Sequence, residues 1–278
     1  MLWILPAITQ AGEISLAMPG NLKALADYHS GDPDKPAVLV LHGFLQTHNF
    51  STVRLIATEL ADAGYAVLRP TLTLNIDQRK NSLACDAVQN HTVEHATKEI
   101  ATWVAWLKQH GHAHIVLIGH STGSNNLLSY LHSGPDSAVS ALIATSVGPM
   151  QSGDDHKESD RQQAEARRQL ASGDSVLKRY TLGFCRENYV TPPGHFLSYM
   201  QWDRERLLDY LRSSPVPTTV VLGESDKWSP EGWRETLEQT DIPLRVIAEA
   251  NHYFSGTSEF SFQSTILSLV ESADDRAG

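Results

Sequence analysis

The sequence predicts an α/β fold: a mostly parallel central sheet flanked by helices, with one inserted helical segment. Three observations predict it. Short apolar runs alternate with amphipathic helical patterns along most of the 278 residues, as repeated strand–helix–strand units require. Two of the runs, Ala37-Val38-Leu39-Val40-Leu41 and Ile115-Val116-Leu117-Ile118, are apolar throughout, which suits strands covered on both faces. The stretch 151–206 breaks the alternation, being far longer than a single crossover helix needs.

Taken in order, residues 12–18 and 21–28 read as two strands joined at Pro19-Gly20. The buried run 37–41 follows. Residues 52–63 are expected to be a helix with Val53, Ile56 and Leu60 on one face and Gly64 as its stop. A strand at 66–68, a polar loop and a strongly periodic helix over 92–109 come next. The run 114–118 is a buried strand; Gly119-His120-Ser121-Thr122-Gly123 leads from it into a helix reaching about Leu131. Strands at 141–145, 218–222 and 244–248 and a closing helix over 261–270 complete the pattern. The expected organisation is therefore a core made of 12–150 and 207–278, with 151–206 as a cap or lid over the carboxyl edge of the sheet. Residues 1–11 form an N-terminal segment or the remnant of a signal peptide.

Composition limits the partners. Hydrophobic residues make up 41% and charged residues 19%, so wholesale disorder is excluded. Acids outnumber bases by 32 − 22 = 10, which argues against nucleic acid and against binding to an anionic membrane surface. No apolar run approaches the roughly 18 residues that span a bilayer. The first residues, Leu2-Trp3-Ile4-Leu5-Pro6-Ala7-Ile8, are apolar, with Thr9-Gln10-Ala11 as a small-residue cleavage site; a positive n-region is missing. Export is slightly favoured on that basis over a cytoplasmic location. Cys85 and Cys185 are the two cysteines. The simpler reading is a pair of free buried thiols; the alternative is one disulfide closing a loop of 185 − 85 = 100 residues.

The chemistry concentrates at four places. Gly119-His120-Ser121-Thr122-Gly123 matches the G-x-S-x-G nucleophile elbow in the required setting, between a strand and a helix. Its turn must be sharp enough to push the Ser121 hydroxyl out of the sheet, and the flanking glycines leave room where strand and helix meet. A serine hydroxyl needs a general base, and in such sites the acid and then the histidine follow the serine in the chain. Of 13 histidines, His252 is the one placed directly after the last strand. Asp226, with Glu224 as a competitor, follows the strand before it and would fix the imidazole tautomer. The oxyanion needs preorganised N–H donors; Thr122, just after the nucleophile, supplies one. Phe44, beyond the tight His42-Gly43 turn, supplies the other. Substrate contacts are expected from His42, Leu45, His120, Trp228, Phe184 and Tyr199.

On His42-Gly43-Phe44, Gly119–Gly123, Gly223…Asp226 and Asn251-His252, the chain resembles the α/β-hydrolase superfamily from about residue 12 to 270. The resemblance implies a Ser121–His252–Asp226 triad, an oxyanion hole at Phe44 and Thr122, and no cofactor. Ser at 121 departs from the dehalogenase and epoxide-hydrolase branches, which need a carboxylate nucleophile. The expected reaction is hydrolysis of a carboxylic ester of small or medium size through an acyl-enzyme. Acyl transfer, or cleavage of an amide, thioester or C–C bond, would use the same residues. Gly119–Gly123 followed by Leu127-Leu128-Ser129-Tyr130-Leu131 also looks like fungal hydrolases that open siderophore esters. A non-catalytic binding protein on this fold is the alternative from another class.

Three weaker signals have plainer readings. His91 and His95, four apart, fall opposite the apolar face Val93, Ala96, Ile100, Trp103, Val104 and Leu107, so both are expected in solvent and not on a metal. His110-Gly111-His112-Ala113-His114 reads as a polar turn. The mixed charges of 154–168 read as a solvated helix face, with a mobile lid as the alternative. The aromatics between 184 and 202 serve either as core or as substrate wall.

Overall fold

The computed structural model describes residues 11–150 and 156–275. Strands β1 (Ala11–Met18) and β2 (Leu22–His29) pair antiparallel across Pro19-Gly20. Then come β3 (Ala37–Leu41), α1 (Ser51–Asp62), β4 (Ala66–Thr71), α2 (Val93–Gln109), β5 (Ile115–His120), α3 (Thr122–His132) and β6 (Val139–Thr145). The next segment holds α4 (His156–Ala171), β7 (Lys178–Leu182), β8 (Cys185–Thr191), α5 (Pro193–Met200) and α6 (Arg204–Arg212). The chain closes with β9 (Thr218–Gly223), α7 (Trp233–Glu238), β10 (Leu244–Ile247) and α8 (Glu259–Asp274).

One sheet takes the order β1-β2-β4-β3-β5-β6-β9-β10, antiparallel at β1–β2 and β2–β4 and parallel elsewhere. Alternate residues of one strand feed opposite faces, as a period of two dictates. Leu39, Leu41 and Leu117 pack with Trp103, Leu107, Leu127 and Leu131 from α2 and α3. Val38, Val40, Val116 and Ile118 pack with Ile56, Leu60, Ile266 and Val270 from α1 and α8. From β3 the chain steps to β4 on one side and returns through α2 to β5 on the other. The loops leaving β3 and β5 therefore diverge, and a crevice opens at the carboxyl ends of these strands. Among the described residues no helix is long and apolar enough to cross a membrane.

Several expectations change. The segment between β6 and β9 is not purely helical: β7 and β8 form their own antiparallel pair, turning at Gly183, whose φ is +57°. Its alternation was masked by charge, since Tyr180 and Leu182 face inward while Lys178 and Arg179 do not. The cysteines are not free thiols. Cys85 and Cys185 form a disulfide with Cα atoms 5.5 Å apart, which ties the β4–α2 loop to the start of β8. His91 does not face solvent: it precedes α2, is 1% exposed, and bonds the Tyr199 hydroxyl at 2.7 Å and Gln89 Oε1 at 3.2 Å. The helix begins one residue after Thr92, whose hydroxyl accepts from the His95 N–H, so helical phase does not extend back to His91. The aromatics divide: Tyr189, Phe196, Tyr199 and Trp202 are core, whereas Phe184 is exposed. Residues 1–10, which carry the export reading, and 151–155 of the expected cap lie outside the described residues.

Candidate active site

Five loops at the carboxyl edge hold non-glycine residues at positive φ: Leu45 (+58°), Leu74, Asn75 and Gln78 (+49°, +64° and +48°), Ser121 (+53°), Ser146 (+46°), and Glu249 and Phe254 (+57° and +52°). Such backbone is costly and persists where tertiary contacts over-determine it. Ser121, at φ 53° and ψ −126°, forms the turn between β5 and α3. A Cβ at Gly119 would lie 2.5 Å from Ser124 Cα, and one at Gly123 would lie 2.6 Å from the His42 carbonyl oxygen. Neither position can carry a side chain while the turn stays this tight.

His252 stands in the loop after β10, and its carbonyl accepts from Ser146 Oγ at 2.8 Å. Its Nδ1 lies 2.8 Å from Asp226 Oδ2. A carboxylate oxygen can only accept here, so Nδ1 carries the proton of this bond. The other carboxylate oxygen accepts from the backbone N–H groups of Trp228 and Ser229 at 2.8 and 3.2 Å. Glu224 points elsewhere, accepting from the Glu249 N–H at 3.0 Å. The Ser121 side chain has no hydrogen-bond partner among the described residues. Thr122 is the first residue of α3, so its N–H has no acceptor within the helix.

The loop after β3 is braced from behind. Arg79, a buried guanidinium, donates to the carbonyls of Gln46 (2.7 Å), Leu72 (2.8 Å) and Asn81 (2.8 Å). Gln46 Oε1 in turn accepts from the Gly43 N–H at 3.2 Å. His42 donates from Nδ1 to the Gly43 carbonyl (2.8 Å) and accepts the Leu72 N–H at Nε2 (3.1 Å). Burial, reinforced by the Arg79 charge, lowers its pKa to about 3. His120, fully buried behind His252, is also held well below the ordinary imidazole range, first by burial and then by the neighbouring His252.

Ser121, His252, Phe44 and Thr122 line one cleft of about 220 Å³. Of the expected substrate contacts, Phe184 and Trp228 also line it. His42, Leu45, His120 and Tyr199 do not: all four are buried behind its walls, where His42 and Tyr199 serve hydrogen bonds and packing. Sequence reasoning missed Asn125, Met150, Arg186, Lys227, Ser229, Glu231 and Tyr253, which share the lining. Asn125 lies one helical turn after Ser121, a spacing that could have found it. The others arrive from loops that only the fold brings together. A second groove of about 330 Å³ between α1 and α8 is not lined by Ser121 or His252.

The sequence profile of the family described as "Alpha/beta hydrolase family" matches residues 38–259. Among solved structures the chain is similar to Est1E from Butyrivibrio proteoclasticus, with 16% identity, a TM-score of 0.66 and coverage of 94% of this chain and 98% of that one. It is similar to the alpha/beta hydrolase GrgF from Penicillium sp. sh18, with 15% identity, a TM-score of 0.70 and coverage of 96% and 98%. A thermophilic esterase from Thermogutta terrifontis gives 18% identity, a TM-score of 0.63 and coverage of 95% and 100%. These structural likenesses are of fold. A sequence comparison with curated proteins finds no match. The profile spans most of the chain, so the chain belongs to the α/β-hydrolase family.

Proposed function

We propose that this hydrolase cleaves carboxylic esters of small or medium size, with Ser121 as nucleophile, His252 as base and Asp226 as the group orienting His252. The observation that carries the reading is the 2.8 Å Asp226–His252 bond, set in the same cleft as a serine at a strained turn. Ser121 Oγ attacks the ester carbonyl carbon as its proton passes to His252 Nε2, and the carbonyl electrons move to oxygen. The oxyanion is met by the N–H groups of Phe44 and Thr122. Collapse expels the alcohol, which takes the proton from His252. Water then attacks the acyl-Ser121 ester, giving its proton to the same nitrogen, and the acid leaves as Ser121 is restored. A neutral His120 behind His252 supports this cycle, because no like charge opposes the imidazolium as it forms. Residues 151–206 are proposed to act as the cap, supplying Phe184 and Arg186 to the cleft.

The test is hydrolysis of 4-nitrophenyl esters from acetate to laurate by the wild type and by Ser121→Ala. Turnover should fall at least about 10³-fold in the variant. Retained activity in Ser121→Ala would remove the nucleophile assignment.

A further inference from the structure

The mouth of the cleft has two walls that repeat one chemistry. On the hairpin wall, Phe184 and Arg186 flank the buried Cys185, so both project away from the core. On the wall after β9, Lys227 and Trp228 directly follow Asp226. All four line the cleft that holds Ser121. Each wall thus presents one aromatic ring and one cation. Phe184 and Trp228 meet edge to face with centroids 6.4 Å apart, and they remain 39% and 52% exposed.

Cations with no hydrogen-bond or ion-pair partner are a minority in this chain: among the described residues Lys23, Arg54, Lys157 and Arg212 share that state with these two, and none of those four lines the cleft. Most of its lysines and arginines are held by carboxylates or carbonyls, as Arg69, Arg79, Lys108, Arg161, Lys178 and Arg204 are. Arg186 and Lys227 have no hydrogen-bond or ion-pair partner among the described residues. The chain carries a formal charge of −10, yet of the charged residues lining this cleft two are cationic and one, Glu231, is anionic. A pair of unneutralised cations above a nucleophile attracts an anion, and adjacent exposed rings favour an apolar or planar body beside it.

Resting on the ester-hydrolase reading, we propose that the substrate is an anionic ester. Its part beyond the reacting bond carries a carboxylate or another acidic group, which Arg186 and Lys227 receive while Phe184 and Trp228 cover the body between that group and the ester. Triglyceride-like neutral substrates fit this mouth poorly.

The experiment compares isosteric esters that differ in charge. On the acyl side the pair is mono-4-nitrophenyl glutarate against 4-nitrophenyl hexanoate; on the alcohol side it is 4-acetoxybenzoate against 4-acetoxybenzamide. At low salt, kcat/KM for at least one pair should favour the anion about fivefold or more. The ratio should move towards one in 0.5 M NaCl, where the screening length is below about 8 Å. It should also collapse in the double variant R186Q/K227Q and invert in R186E/K227E. These side chains are exposed, and a melting curve of each variant verifies folding. A wild-type ratio at or below one for both pairs overturns the proposal, as does a preference insensitive to salt and to the substitutions. Turnover of the neutral esters keeps the ester-hydrolase reading standing in that event; if no ester of either charge is cleaved, that reading falls and takes this proposal with it.

Discussion

The sheet and the segment between β6 and β9 share one apolar core, but the segment adds polar and covalent ties that the sheet does without. Strands β3 and β5 are buried along their whole length, and their neighbours on both faces are apolar. Each fully buried valine or leucine there contributes roughly 1.5–3 kcal/mol. The β6–β9 segment also buries Gln162, Gln163 and Gln169, the last bonded by the Tyr180 hydroxyl, and stacks Tyr180 on Phe196 at 4.0 Å. It reaches the rest of the molecule through core side chains such as Tyr199, Trp202 and Leu207, and also through a disulfide, a Gln89 N–H to Val190 carbonyl bond and the packing of Phe184 and Tyr189 on Phe44. The rigid part carries Ser121, Asp226 and His252, whereas the tethered part supplies one wall of the mouth. On the proposed function, the sheet builds the geometry that the chemistry needs and the segment contributes to recognition.

The largest expected effect lies on the sheet side. Asp226→Asn should lower kcat about 10⁴-fold, because the amide can present N–H to Nδ1 and reverse the tautomer. Glu224→Gln should stay within a few fold, since Glu224 caps a backbone N–H away from the cleft. Steady-state kinetics of the two variants decide; equal losses would mean that Asp226 does not orient His252.

Cutting the tether comes next. The disulfide closes a 100-residue separation, worth about 4.7 kcal/mol in the chain-entropy model. At roughly 2–4 °C per kcal/mol for a chain of this size, Cys85→Ser/Cys185→Ser should melt about 10–20 °C lower. KM should rise more than kcat falls, since the nucleophile does not belong to the hairpin. Calorimetry with kinetics measures both, and an unchanged KM would show that the hairpin holds its place without the bond.

Gly183→Ala probes the contact between the two regions. Its φ is +57°, and an added Cβ would sit 3.2 Å from Phe44 Cδ1. Displacing Phe44 should lower kcat by up to roughly tenfold. A larger loss in KM than in kcat would place the effect in the wall and not in the oxyanion loop.

A pH slope in stability probes the two buried histidines. Burial, aided by Arg79, lowers the pKa of His42 and of His91 from the ordinary 6.5 to about 3. The unfolded chain therefore binds protons that the folded one refuses. Stability is fully present above about pH 6.5 and declines as pH falls towards 3. Melting temperatures between pH 7 and 4 should show this, with a shallower slope in His91→Gln. An unchanged slope would remove His91 from the explanation.

Local pattern was enough for the strand–helix alternation and for proposing an elbow at Ser121 with His252 and Asp226 as its partners. Each rests on spacing within one short stretch or on chain order, and periodicity is a local consequence of backbone geometry. Val53, Ile56 and Leu60 of α1 and the apolar face of α2 were legible for that reason. Long-range juxtaposition was not. Whether Cys85 meets Cys185 depends on where a hairpin hidden by charged residues folds back. His91 was misplaced because helical phase ends at Thr92, and its burial comes from Tyr199, 108 residues away. His42, Leu45, His120 and Tyr199 lie near the chemistry in sequence or in the fold yet behind its walls. Arg186 and Lys227 stand at the mouth with nothing local to mark them. A cleft is a surface shared by loops far apart in the chain, so its lining is decided by packing, which no window of sequence contains.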